Sequence, residues 1–165
     1  MNLDALAASL TADPAISGFG FARSVSNGGP DVVGVGIDVV GVGIDVVDVA
    51  RFARIIERTP RLIGRVFTTD EWNDCRSAPS LVLLAAQLFT AKEAAVKALG
   101  CGIFGLRLSD LAVASGPGER DGPLMVTGPS AQAAMAARGV DALVVRLSHS
   151  DDLAGAVVVA IRQRL

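Results

Sequence analysis

The residues of this 165-residue chain best suited to chemistry are few and clustered. Of its 15 basic residues, 13 are arginine, and the only two lysines, Lys92 and Lys97, fall inside one stretch, KEAAVK. The only histidine, His149, stands between Ser148 and Ser150. Glu93 and Lys97 are four residues apart and share one face of a helix, which on its simplest reading is an ion pair contributing about 0.3 to 0.5 kcal/mol. Their flanks, AAQLFTA and AAV, are apolar, so the charges interrupt a helix that otherwise reads as buried. In that setting Phe89, Lys92, Glu93 and Lys97 can line one cleft, with a carboxylate for Mg²⁺ and an ammonium for a phosphate. Asp45 lies between Ile44 and Val46 in an apolar strand, where a carboxylate is costly unless it meets a cation or hydrogen bonds. Strand-end aspartates are also common at turns, and Asp38 has the same local claim. His149 alone reads as a surface loop residue.

Two separated carboxylates, two lysines and a hydroxyl-flanked histidine suit Mg²⁺ and a phosphorylated substrate better than acyl or redox chemistry. No G-x-S-x-G elbow marks a serine nucleophile, and no Cys or His spacing fits zinc. Gly34 with Gly36, and Gly41 with Gly43, lack the third glycine and the βαβ spacing of a dinucleotide fingerprint. Cys75 and Cys101 form no CxxC and read as the reduced thiols of a cytosolic protein. With 17 acidic residues and a net charge of −2, broad capture of nucleic acid or an anionic membrane is not expected. The longest apolar runs, such as LAGAVVVAI at 153–161, are too short to span a bilayer, and the start carries no basic n-region, so a cytoplasmic location is expected.

The elements that must position these groups follow from pattern. A hydrophobic content of 51% in this length supports one domain with a real core. Residues 1–31 are Gly- and Ser-rich toward their end and read as an appendage or flexible leader ahead of a domain over 32–165. VVGVGIDVV then occurs at 32–40 and again at 39–47. Both copies read as strand, but a shift of seven would turn every side chain of one copy to the opposite face of an uninterrupted strand. One copy alone can supply the working register, and the other is a preceding strand segment, a bulge or a loop. Asp48 is a natural N-cap for a helix that ends before Pro60. Thr59-Pro60 reads as the start of a shorter helix, and Thr68 with Glu71 matches a capping box. A long helix follows from about Ser80 to a Gly100 cap. LRLSDLAVA, PLMVTG, a helix over 129–138, LVVRLSHS and AGAVVVAIRQR then give mostly strands, hence an α+β fold.

Taken together, GIDVVDVARF at 43–52, FTTDEW at 67–72, FTAKEAAVKALGCG at 89–102 and LSHS at 147–150 resemble the holo-acyl-carrier-protein synthase family, the small trimeric 4′-phosphopantetheinyl transferases. The resemblance implies that family's fold, a mainly antiparallel sheet packed with a long helix, assembled as a homotrimer with active sites between subunits. It implies that Asp45 and Glu93 hold Mg²⁺ and that Asp45, Glu93 and Lys97 are the catalytic set. Lys97, with Phe89 and Gly100 nearby, would meet the phosphates of coenzyme A, and His149 would face the coenzyme A site of a neighbouring subunit. The reaction would move 4′-phosphopantetheine from coenzyme A to a serine of an apo acyl carrier protein, of fatty-acid or polyketide type, and release 3′,5′-ADP. The serine proton would leave through a metal-bound water or a carboxylate such as Glu93. Two positions depart from the family pattern: Leu88 replaces an arginine before Phe89, and Cys101 replaces a threonine.

The partner has separate support. Arg51, Arg54, Arg58, Arg61 and Arg65 recur at spacings of three and four with only Glu57 opposing them, a surface suited to a small acidic helical domain. A solvated helix face is the plain alternative, and Pro60 breaks the periodicity before the last two. Two other functions stay open at this stage: a non-catalytic carrier-binding homologue whose site the repeat disturbs, and a general phosphate-ester hydrolase. With Asp45 as ligand, Asp45→Asn should abolish Mg²⁺-dependent turnover while Asp38→Asn leaves it largely intact; the reverse outcome in a steady-state assay would select the first copy.

Overall fold

The computed structural model describes residues 36–102, 105–114 and 123–164. The expected leader over 1–31 and the first residues of the repeat lie outside the described residues. The described chain forms β1 (Gly36–Asp48), α1 (Val49–Arg58), a 3₁₀ turn (Pro60–Leu62), α2 (Ile63–Val66), α3 (Thr69–Ser77) and α4 (Leu81–Leu99). A second 3₁₀ turn (Leu108–Asp110), β2 (Leu111–Ala114), β3 (Leu124–Thr127), α5 (Pro129–Arg138), β4 (Ala142–His149) and β5 (Leu153–Arg164) complete it. The strands form one antiparallel sheet in the order β1-β5-β4-β3-β2.

The repeat is accommodated by a bulge. β1 runs through both copies, and its pairing with β5 shifts between Val39 and Gly41. Asp38 pairs with Arg162 and Asp45 with Ala156, so seven residues of β1 span six of β5. Six is even, and the two aspartates therefore face the same side of the sheet, which an unbroken strand forbids. On that side stand Gly41, Gly43, Asp45 and Val47, and beyond them on β5 the buried Ala154, Ala156, Val158 and Ala160. The other side carries Val42, Ile44 and Val46 of β1, with Val157 and Leu153 of β5, all substantially exposed.

Local signals set the helices. Asp48 accepts from Arg51 N–H at 2.7 Å and starts α1. Thr68 and Glu71 form both bonds of the capping box on α3. Ser80 caps α4, and Gly100 ends it at φ 56°, in the left-handed region. Two expectations change. Thr59 supplies no side-chain cap, because Pro60 opens a 3₁₀ turn before α2 instead of a regular helix. Of LRLSDLAVA only Leu111–Ala114 pairs as strand, since 108–110 closes into a 3₁₀ turn.

The core is the seam between α4 and the sheet. Ala85, Ala86, Ala91, Ala94, Ala95 and Ala98 are all buried, and such small side chains let the helix backbone come close. At two points it comes closer than any side chain permits: a Cβ at Gly43 would overlap the Ala94 carbonyl oxygen, and one at Gly41 would overlap that of Ala98. Gly36 holds the same place in the first copy as Gly43 in the second, yet a Cβ there would meet only the Arg164 side chain at an ordinary 3.7 Å. Gly43→Ala should therefore cost about 3 kcal/mol or more in urea unfolding, while Gly36→Ala changes stability by less than about 0.5 kcal/mol.

Candidate active site

The crossing of α4 over β1 brings the predicted carboxylates and one lysine together. Asp45 extends from β1 toward the helix face, and Lys97 Nζ donates to its Oδ1 at 2.7 Å and to the Ile44 carbonyl at 3.0 Å. The expected pair between Glu93 and Lys97 on one helix face is thus replaced by a tertiary one between helix and strand. Glu93, one turn before Lys97, is half-buried. Burial first, and then the charge of Asp45, hold its carboxyl above the ordinary glutamate value, with Lys97 opposing. Each carboxylate therefore feels the other at the same spot.

The second lysine goes elsewhere. Lys92 does not line this cleft; it is fully buried on the opposite flank of α4, with Nζ 2.9 Å from Glu71 Oε2 and 3.1 Å from the Leu108 carbonyl, over the Phe67 ring. Phe89 is half-buried and packs its ring on Phe52 of α1, with centroids 5.2 Å apart. Gly100 lies at the end of α4 beneath Arg138, whose guanidinium donates to its carbonyl at 2.6 Å. Leu88 is buried in the core, so no phosphate contact arises there. Cys101 and Cys75 are free thiols, and burial with the nearby Glu71 and Asp74 pushes Cys75 up to about 11, which makes it inert.

His149 shares the face of Asp45, in the next cross-strand row, because it pairs with Ala154 while Ala154 pairs with Val47. Two strand spacings separate these rows' ends, roughly 10 Å, so His149 does not touch Asp45, Glu93 or Lys97 in this chain. It is exposed, and with Ile44, Asp45, Val46, Ser148 and Leu153 it borders an open cavity of about 410 Å³. Arg51, Arg54 and Arg58 are exposed on α1, directly after the strand that carries Asp45, and Arg61 and Arg65 are exposed on the 3₁₀ turn and on α2 that follow. Sequence reading recognised Glu71 as a capping residue and missed its buried partner; a lysine in an apolar helix without a local acid was the available signal.

Two hard oxygen donors close to one another, beside a cation, suit a Mg²⁺ ion, which takes one or two protein carboxylates and completes its shell with water and substrate phosphate. No cluster of three or more metal-ligating side chains occurs among the described residues.

The profile of the 4′-phosphopantetheinyl transferase superfamily matches residues 41–138. The holo-acyl-carrier-protein synthase of Clavibacter michiganensis is 47% identical over 110 residues, 67% of this chain and 85% of its own. Among solved structures, the holo-acyl-carrier-protein synthase of Neisseria meningitidis aligns with a TM-score of 0.67 at 28% identity, covering 74% of this chain and 98% of its own. That of Helicobacter pylori, in complex with coenzyme A, aligns with a TM-score of 0.62 at 28% identity, over 72% and 98%. The chain belongs to the holo-acyl-carrier-protein synthase family of phosphopantetheinyl transferases.

The raised pKa of Glu93 has a consequence for stability. Its ionisation is less favourable in the folded than in the unfolded chain, so its contribution is full below the unfolded glutamate value and is lost as pH rises through the folded one. Glu93→Gln should therefore raise Tm at pH 7, with the gain shrinking as pH falls and gone below about 4, in paired thermal melts.

Proposed function

We propose that this protein moves 4′-phosphopantetheine from coenzyme A to a serine of an apo acyl carrier protein, with Mg²⁺, and releases 3′,5′-ADP. The observation that carries the reading is the meeting of Asp45 from β1 with Glu93 and Lys97 from α4, the Lys97 ammonium 2.7 Å from the Asp45 carboxylate. Asp45 and Glu93 would hold the ion. Bound there, Mg²⁺ would offset the charge of the coenzyme A pyrophosphate. Lys97, half exposed at its tip and anchored on Asp45 and Ile44, is free to turn its ammonium toward a phosphate as charge builds on the departing 3′,5′-ADP. In the transfer the serine oxygen bonds to the β-phosphorus and the bond from that phosphorus to the oxygen bridging to 3′,5′-ADP breaks. Glu93, the half-buried carboxylate beside Asp45, is the acceptor this chain offers for the serine proton, directly or through a water.

Three further features support the assembly around that centre. The arginines of α1 are exposed and make no ion pair among the described residues, which suits docking of an acidic carrier. The apolar outer face of β1 and β5 leaves Val42, Ile44 and Val46 more than half exposed, a patch that burial between copies would remove from water. A homotrimer formed through that face would let the exposed His149 of one subunit serve the coenzyme A of the next. No helix among the described residues is long and apolar enough to cross a membrane, and the reading takes the enzyme as cytoplasmic. A catalytically dead homologue is not favoured, because the bulge takes up the repeat upstream and leaves Asp45 under α4.

Incubation with coenzyme A, Mg²⁺ and an apo carrier should add one phosphopantetheine to the carrier by intact mass. No addition to any carrier of fatty-acid or polyketide type would overturn the reading, and carrier-independent phosphate release would point to a hydrolase.

A further inference from the structure

Lys92 is the one charged side chain of α4 for which the proposed chemistry has no use, and it is the most completely enclosed. Its exposure is 0% and that of Glu71 is 3%. Both partners are hydrogen-bonded. Lys92 donates to Glu71 Oε2 and to the Leu108 carbonyl. Glu71 accepts, besides Lys92, the N–H of Thr68 at 2.8 Å and that of Val113 at 2.9 Å. One ion pair thus joins α3, α4, the 3₁₀ turn and β2. Desolvation pulls the lysine pKa down and the Glu71 charge pushes it back up. A pair of this kind is seldom explained by stability alone, since an apolar pair of similar volume often serves as well.

Its position along the helix suggests what it does. Residues 92, 93 and 94 are consecutive: Lys92 is fixed to Glu71, Glu93 is half-buried and near enough to Asp45 to feel its charge, and the Ala94 carbonyl sits against Gly43. The contact at Gly43 sets how near α4 lies to β1, but as packing against a bare backbone it has no directional bond to fix how far the helix is rolled. The bonds of Lys92 are directional, as are those of Lys97 to β1, but only the Lys92 bonds are fully buried and lie outside the site they would orient. We propose that the buried Lys92–Glu71 pair is the positioning device of the site, holding the roll of α4 so that Glu93 and Lys97 meet Asp45. Lys92 is a positioning residue, not a catalytic one; it reaches neither substrate nor ion. The inference rests on the proposed metal-dependent transfer.

The test uses the full chain and Mn²⁺ as probe, read by electron paramagnetic resonance, alongside kcat, KM for coenzyme A and Tm. Lys92→Met with Glu71→Gln removes both charges together and leaves an amide oxygen for the Val113 N–H. Glu71→Asp keeps both charges but shortens one arm by a carbon, so it shifts the pair without abolishing it. If the pair positions the site, either variant that folds weakens Mn²⁺ binding at least fivefold and lowers kcat at least tenfold, with KM for coenzyme A changed less than threefold, even where Tm is kept. Variants with lowered Tm but wild-type Mn²⁺ affinity and kcat would reduce the pair to a structural role and overturn the proposal. Failure of the underlying reading looks different: Asp45→Asn and Glu93→Gln would then leave Mn²⁺ binding unchanged in an otherwise wild-type chain.

Discussion

Everything in this molecule that concerns chemistry depends on how closely α4 can lie on β1. Helix and strand approach until the carbonyls of Ala94 and Ala98 occupy space that a Cβ at Gly43 or Gly41 would need. That approach puts a helix glutamate and a helix lysine within reach of a strand aspartate. Side chains of ordinary size between the two elements would hold helix and sheet near the usual separation of packed layers, with Asp45 stranded from Glu93. The alanines along α4 are the same constraint seen from the other side. The apolar composition that made this helix look buried is what allows its charged residues to work.

The two lysines divide the electrostatics between them. Lys92 is enclosed, paired with Glu71 and bonded to the Leu108 carbonyl, so its charge acts on structure and hardly reaches the solvent. Lys97 is half exposed and its bond to Asp45 lies within reach of solvent. Burial is what separates the roles. Both occur in one six-residue stretch, five residues apart, which on a helix turns them to different flanks.

Much of this was legible in the residues. The capped ends of α1, α3 and α4 follow from Asp48, Thr68 with Glu71, Ser80 and Gly100, each a local signal with a local cause. The meeting of Asp45, Glu93 and Lys97 was expected from the family resemblance, not from spacing. What could not be read was long-range. Nothing near Lys92 announces a partner 21 residues away, so it was grouped with the cleft when it belongs to the core. The short segment before β2 was blurred for the opposite reason: Leu108, Ser109 and Asp110 have strand-compatible neighbours, and tertiary bonds to this turn from Lys92, Gly128 N–H and Ser130 accompany its 3₁₀ conformation.

The bulge between the two copies of the repeat makes the chain its own control experiment. The same pentapeptide, GIDVV, is presented twice on one face of one strand, in two environments. Under α4 its aspartate meets a helix lysine; beyond the helix, at the open end of the sheet, the identical aspartate meets Arg164 on the surface. The pentapeptide, strand direction and facing side are held constant, while the overlying helix and the cross-strand neighbours on β5 differ. A motif search returns two equivalent hits here, and what distinguishes them is a roof.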